Sequence, residues 1–269
     1  MAHSKVSIIT VCFNAAQTIA ETLDSVAAQM DADIEHIVVD GNSSDGTQNI
    51  VQTYRRDNLV FVSEPDNGLY DAMNKGVQMA SGDIIAFLNA DDVYAHTDVV
   101  NCAVTALNKH AVSCVYADLV FVDALDTSLV KRVWSSQPHK PRLCFSGWMP
   151  AHPTLFMRRI DFIELGGFNL SLKYQSDLEF CTRAFEVEKL SSHYVPQVWV
   201  RMRLGGISTG AWSTRIKGNW ESYIALRRLG LKRDPLSYFV IKFGRKLPQF
   251  FLRQRFSEAE LPDKTNEAQ

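Results

Sequence analysis

Asn89, Asp91 and Asp92 stand together at the end of a short apolar run, Ile84 to Leu88. A run of that length stopping at a polar cluster reads as a buried strand reaching the edge of its sheet. Carboxylates at the carboxyl end of such a strand lie where open α/β sheets bind ligands. Two adjacent like charges repel, and a divalent cation, Mg²⁺ or Mn²⁺, is a natural way to hold them. The alternative is a turn capping the next helix, because Asn and Asp dominate turns. Asp40 closes another apolar run, Ile34 to Val39. Its carboxylate could accept the N–H of a base or a ribose hydroxyl, or it could only start the turn that follows. Asp177 opens a helix whose Leu178, Cys181 and Phe185 share the apolar face. A carboxylate so placed faces a pocket rather than the core and can take a proton from an attacking hydroxyl. Its alternative role is to favour the helix N-terminal dipole, although Ser176 already suits the N-cap. Glu179, two residues on, is the second candidate. His152 precedes Pro153 at a strand start, where it meets a ligand or serves as a neutral structural histidine. Arg201, Arg203, Gly205, Gly206 and Ser208 follow the last strand as a lid over phosphates or as a plain surface turn.

The elements that must position these residues alternate between strand and helix. Strands are expected at Val6–Phe13, Ile34–Val39, Leu59–Val62, Ile84–Leu88, Ser113–Val122, Pro153–Met157 and Tyr194–Met202. Ile19, Leu23, Val26 and Met30 recur at helical spacing. Further helices are expected near Thr47–Arg55, Leu69–Met79, Asp98–Leu107, Ile160–Leu165 and Asp177–Val187. This alternation predicts an α/β fold with a mostly parallel sheet covered by helices. Lys131 to Trp148, with Pro138 and Pro141, reads as an irregular, mobile loop. The turn after Asp40 is not G-x-G-x-x-G, and no P-loop pattern occurs.

Three stretches of the first half carry a resemblance: Val6-Ser-Ile-Ile-Thr-Val-Cys-Phe-Asn, Val38-Val-Asp-Gly-Asn-Ser-Ser-Asp-Gly-Thr, and Gly82-Asp-Ile-Ile-Ala-Phe-Leu-Asn-Ala-Asp-Asp. Together with His152-Pro-Thr-Leu-Phe-Met-Arg-Arg, Phe162-Ile-Glu-Leu-Gly-Gly-Phe and Gln175-Ser-Asp-Leu-Glu-Phe, in that order, the chain resembles an inverting family 2 glycosyltransferase of GT-A fold. It is most similar to bacterial enzymes that build O-antigen or exopolysaccharide repeat units. The resemblance implies a catalytic domain over residues 1–211, with a nucleotide-sugar-binding half at 1–110 and an acceptor half at 111–211. It implies a nucleotide-diphospho-sugar donor, UDP favoured, and a lipid-linked or saccharide acceptor. Asp40 would meet the base. Thr10, Cys12 and Asn14 would line the same pocket, mainly through backbone. Asn89 and Asp91 would meet the donor, Asp91 and Asp92 the metal, and Asp177 would be the catalytic base. His152, Arg203 and Ser208 would serve the acceptor or a lid. Many members carry an acid where Asn89 stands, which puts the strength of metal binding in question. A non-catalytic nucleotide-sugar-binding subunit and a sugar-phosphate nucleotidyltransferase are the competing readings.

The chain has 269 residues, 46% hydrophobic and 22% charged, an ordinary globular composition. Five cysteines without C-x-x-C spacing suggest reduced thiols in the cytoplasm. Val6–Phe13 reads as a strand, not a secretory leader, and no run approaches the roughly 18–20 apolar residues of a membrane helix. The net charge is −2, yet Trp212 to Phe256 carries eleven Lys/Arg against Glu221 and Asp234, a local net of +9. Gly230, Pro235 and Pro248 divide this basic arm (212–257) into about three short helices, followed by a disordered tail at 258–269. Cations interleaved with aromatics suit an anionic membrane surface. Nucleic acid is the other polyanion such a patch could meet. The resemblance decides against it and implies a peripheral protein on the inner face of the cytoplasmic membrane. Packing of the arm on the body or on a second subunit, in a homo-oligomer, is the alternative.

Overall fold

The computed structural model describes residues 4–54, 56–205 and 212–245. Ser208, the rest of the Gly-rich turn from 206, the end of the arm from 246 and the tail lie outside the described residues. The first half follows the expected alternation: β1 (Val6–Cys12), α1 (Ile19–Ala27), β2 (Ile34–Asp40), α2 (Thr47–Thr53), β3 (Leu59–Ser63), α3 (Leu69–Met79) and β4 (Ile84–Phe87). Then come β5 (Asp92–Tyr94), α4 (Val99–His110), β6 (Cys114–Val122), β7 (Val130–Trp134), β8 (Phe156–Arg158), α5 (Arg159–Glu164), α6 (Ser176–Thr182) and β9 (Ser192–Arg203). Helices α7 (Trp212–Arg228) and α8 (Pro235–Gly244) follow.

One sheet runs in the order β3-β2-β1-β4-β8-β6-β9-β5, with β7 paired to β6. The four strands of the first half are parallel. Beyond β4 the sheet turns antiparallel through β8, while β6 and β9 remain parallel to each other. The α/β expectation therefore holds, with the parallel character concentrated in the first half. Both faces of the central strands are covered. Ile9, Val11, Ile37, Val39, Ile85 and Phe87 join α3 in one core. Val6, Ile8, Ile84, Ala86 and Leu88 point the other way, toward α4 and Trp199. Burial on both faces is why these strands read as continuous apolar runs rather than alternating ones.

Several local expectations are corrected. The supposed loop at 131–148 contains β7 and a short 3₁₀ turn, Cys144–Ser146. Alternating half-buried residues on β7 gave no apolar run to find. His152–Thr154 is a 3₁₀ turn, so the strand starts only at Phe156. Asp92 starts β5 instead of remaining in a turn. Arg201 and Arg203 belong to β9 itself, paired with β5 and β6, rather than to a loop after it. Helix α6 passes into a π-helical turn, Arg183–Val187.

A polar knot fixes the strand register at the edge opposite the strands' carboxyl ends. Glu35 accepts from the Ser7 hydroxyl at 2.6 Å, the Ser81 N–H at 2.8 Å, the Ser81 hydroxyl at 2.7 Å and Lys5 Nζ at 3.2 Å. Burial pushes its pKa up, but these donors outweigh it and hold the carboxyl at about 2. A folded-state pKa below the unfolded value stabilises above the unfolded pKa, and that contribution is lost as pH falls through the folded one. Glu35→Gln should cost about 1–2 kcal/mol at pH 7. In thermal melts from pH 7 to pH 2, the gap to wild type should close between about pH 4.5 and pH 2.

Candidate active site

The carboxyl ends of β1, β2 and β3 meet in register: Cys12 lies beside Asp40, and Asp40 beside Ser63. Chain order reverses at β1, which sits between β2 and β4, and such a switch point opens a crevice at the strand ends. Asp40 is fully buried there. One carboxylate oxygen accepts from the Ser43 N–H at 2.9 Å and the Ser63 hydroxyl at 2.7 Å. The other accepts from the Ser43 hydroxyl and, at 3.5 Å, from the Cys12 thiol. Asp40 thus organises the 41–43 turn, and each oxygen already has a donor. Asn42 holds a left-handed conformation, φ 66°. The Ser43 hydroxyl accepts the Asn14 N–H at 2.7 Å, and the Asn14 side-chain oxygen accepts the Ser44 N–H at 3.0 Å. Of the residues expected to line this pocket, only Asn14 presents an exposed side chain. Thr10 is buried against His36 at 2.9 Å, and burial pushes the Cys12 thiol far up, so neither side chain does chemistry.

Asp66, which is not among the expected site residues, lies against this pocket. A Cβ on Gly41 would come within 2.6 Å of its Oδ2 and 3.3 Å of the Phe13 ring. Gly41 therefore makes room for a carboxylate from the neighbouring loop.

Asn89, Asp91 and Asp92 come together, but on unequal terms. Asp92 is buried, and burial followed by the charge of Asp91 pushes its carboxyl well above the usual range. Asp91 is half-buried, and burial raises its pKa against the opposing Arg203 charge. Asn89 Nδ2 donates to one oxygen of Asp92 at 3.2 Å. The other oxygen of Asp92 and the Asn89 side-chain oxygen are buried without a hydrogen-bond donor. Orphaned buried oxygens beside a carboxylate are the hard donor set of Mg²⁺ or Mn²⁺, so the residues fit such an ion. Arg203 does not form a lid. It is buried at the end of β9, donating to the Asp91 carbonyl at 2.9 Å and to Glu21 at 2.6 Å. A cation fixed behind the acidic turn offsets the repulsion of the pair.

Asp177 is half-buried at the start of α6. Its Oδ1 accepts the Tyr70 hydroxyl at 3.1 Å and the Leu178 N–H at 2.8 Å. Tyr70 lies in the first turn of α3, and burial followed by Asp177's charge raises its pKa well above the usual phenol value, so it remains a donor. His152 is buried, stacked on Phe87 with ring centroids 5.5 Å apart and edge-on to Phe168 at 5.4 Å. Burial pushes its pKa down, against the pull of Asp177, and its Nε2 has no hydrogen-bond partner. A neutral imidazole thus faces the surroundings of the carboxylate. Glu179 is not a second base: it is buried in a salt bridge with Arg183 at 3.0 Å, and Arg183 also binds the carbonyls of Leu165 and Gly167.

Glu221 of α7 completes the arrangement. Its carboxylate accepts three consecutive backbone N–H groups, Lys173 at 2.7 Å, Tyr174 at 2.6 Å and Gln175 at 2.9 Å. Those residues lead directly into α6, so Glu221 fixes the turn that aims Asp177. Sequence spacing gave no sign of Tyr70 or Glu221, because each meets its partner across a long stretch of chain. One further cluster, His139, Cys144 and Glu186, has metal-ligand side chains within 4.8 Å of one another. Glu186 there accepts the N–H groups of Arg142 at 2.7 Å and Cys144 at 2.9 Å, the pattern of a loop clamp.

A parallel α/β half with acidic residues at its strand ends, joined to a half that supplies a carboxylate, is the architecture of a GT-A glycosyltransferase. Residues 7–166 match the Glycosyl transferase family 2 profile, and the chain belongs to that family. It is 32% identical over 212 residues to a PGL/p-HBAD biosynthesis glycosyltransferase of Mycobacterium bovis, covering 77% of this chain and 80% of that one. It is 36% identical over 186 residues to an uncharacterized glycosyltransferase of Mycobacterium tuberculosis, covering 66% and 68% of the two chains. The fold is similar to S. aureus TarS 1-349 in complex with UDP-GlcNAc (TM-score 0.67, 18% identity, 95% of this chain and 74% of that one). It is also similar to the mannosyltransferase PcManGT from Pyrobaculum calidifontis in complex with GDP-Man and Mn²⁺ (TM-score 0.66, 21% identity, 91% and 70%). The chain spans 43% of a longer TarS chain that it also matches.

Replacing Glu221 by Gln turns one acceptor oxygen into a donor facing a backbone N–H. The expected result is a fall in kcat of about tenfold or more with donor KM nearly unchanged, because a small displacement of a reacting group is costly. Steady-state kinetics with the donor varied, alongside a melt to confirm folding, would measure it.

Proposed function

We propose that this glycosyltransferase moves a sugar, with inversion, from a nucleoside-diphosphate-sugar to a hydroxyl of a lipid-linked or saccharide acceptor. The observation that carries the reading is Asp177, half-buried at the start of α6 and held by Tyr70 of the first half and by the Glu221-clamped turn. Asp177 would take the proton of the acceptor hydroxyl as its oxygen attacks the anomeric carbon. The bond from that carbon to the diphosphate oxygen breaks, and the nucleoside diphosphate leaves. Tyr70, a donor to Asp177 Oδ1, keeps the second carboxylate oxygen directed at the acceptor. Asp91, with the orphaned oxygens of Asn89 and Asp92, would hold a divalent cation, which when bound neutralises charge on the leaving diphosphate. The loops shaped by Asn14, Asp40 and Asp66 would receive the nucleoside, with Thr10 and Cys12 contributing backbone only.

The known structures support a nucleotide-sugar donor, since they hold UDP-GlcNAc in one case and GDP-Man with Mn²⁺ in the other. UDP is the favoured carrier. The named relative in PGL/p-HBAD biosynthesis supports a lipid-linked or other surface-glycan acceptor. No helix among the described residues is long and apolar enough to cross a membrane. A lipid-linked acceptor would be met at the inner face of the cytoplasmic membrane.

The test is a thermal-shift panel of UDP, GDP, dTDP and CDP with and without Mn²⁺, followed by donor turnover. One diphosphate should raise Tm, and more so with metal. Asp177→Asn should retain that shift and lose about 10²–10⁴-fold in transfer rate. Asp91→Asn should lose the metal-dependent part of the shift. Wild-type turnover in Asp177→Asn would remove the base from the mechanism.

A further inference from the structure

Helices α7 and α8 have two different sides. The inner side packs on the catalytic body: Leu226, Leu231 and Tyr238 cluster with Leu178 of α6. The outer side is apolar and open. On α7, Ile216, Trp220 and Ile224 follow one another at four-residue steps and are 58%, 48% and 46% exposed. On α8, Leu236, Val240 and Phe243 follow at steps of four and three and are 75%, 64% and 49% exposed. The two stripes are joined by ring contacts, Trp220 to Phe239 at 5.6 Å and Phe239 to Phe243 at 6.2 Å. Six protruding apolar side chains on adjacent helices are far more than scattered surface hydrophobics.

Cations dominate the charges around this face, although Glu221 shares the hollow that Ile216, Trp220 and Ile224 line with Leu172. Lys217, Arg227, Arg228, Lys232, Arg233 and Arg245 are exposed. Both acids of the described arm are engaged internally. Glu221 holds the turn before α6, and Asp234 caps α8 by accepting the Ser237 N–H at 3.0 Å. An apolar stripe whose exposed charged neighbours are mainly cations complements a surface that is apolar beneath an anionic layer. At 17 and 10 residues, with no membrane-spanning window, the helices suit lying on such a surface, not crossing it.

We propose that the outer face of α7 and α8 docks on anionic lipid and so places Asp177 at a fixed height above it. The second part rests on the catalytic reading given above. Docking enters from one side of α7, while Glu221 on the same helix grips residues 173–175. The turn that aims the base is therefore fastened to the helix that meets the lipid. Docking would in this way favour an acceptor hydroxyl held near the headgroups over a free sugar in solution.

The test is co-sedimentation with vesicles of phosphatidylcholine alone or with about one third phosphatidylglycerol, using the full chain. Wild type should bind the anionic vesicles and lose them as salt is raised. Ile224→Glu, and separately Arg228→Glu with Arg233→Glu, should each weaken binding about tenfold or more. Both variants should keep the nucleotide-induced Tm shift of wild type, which shows that the body is folded and separates failure of docking from failure of the donor reading. Equal binding of wild type and variants, or no binding to anionic vesicles, would overturn the proposal. Concentration-dependent self-association in analytical ultracentrifugation that Ile224→Glu abolishes would also overturn it, by assigning the face to a second copy.

Discussion

Burial of the central strands on both faces is the constraint from which the site follows. β1, β2 and β4 are covered by helices on each side, so polar side chains within them are tolerated only when paired, as Ser7 is with Glu35 and Thr10 with His36. Groups that must meet solvent or substrate are driven to the strand ends. In a parallel sheet those ends lie on one edge, which is why Asn14, the turn after Asp40 and Asp66 meet there although they come from three connections, with Asp91 following the neighbouring strand β4. The chemistry of the first half is therefore a consequence of how its core is packed.

The second half solves a different problem, that of aiming one carboxylate. Asp177 cannot be positioned by a parallel strand end, because β8 and β6 pair antiparallel and α6 lies between irregular segments. Positioning comes from three ties, two from other helices and one from the continuation of α6 itself. Tyr70 reaches it from α3, Arg183 ties α6 to the Gly166–Gly167 turn, and Glu221 holds the approach from α7. A carboxylate accepting three successive N–H groups is a rigid link, since no donor can move without leaving a charged acceptor short. The arm is in this sense fastened to the turn that leads into α6 rather than merely appended to the body.

How much could be read from the sequence follows the same division. β1, β2, β3, α3 and β4 were visible to within a residue or two because continuous apolar runs and helical spacing are local signals. β5 and β7 were not, being three and five residues long, with β7 carrying the alternation of a half-buried edge. The acidic turn was found by composition, but its inner and outer members were not distinguished. Only β5 pairing with β9 shows that Asp92 points into the protein and that Arg203 lies behind it, not above it as a lid. Tyr70 and Glu221 lay beyond reach because their meaning is a contact across 107 and 46–48 residues respectively.

The same geometry explains Asn89, the residue that departs from the family pattern. An acid at that position would bring a third carboxylate beside Asp91 and the buried Asp92, whose pKa values are already raised. Arg203 is the cation that opposes both of them, and it is shared with Glu21. Asn avoids the added repulsion and does what an ionised acid cannot, donating an N–H to Asp92 at 3.2 Å. Its oxygen, like the second oxygen of Asp92, is buried without a donor, so a neutral oxygen stands where the acid of other members would be. Asn therefore lowers the negative charge that an ion held there would meet, and Asp91 is the carboxylate on which the proposed metal binding would chiefly depend.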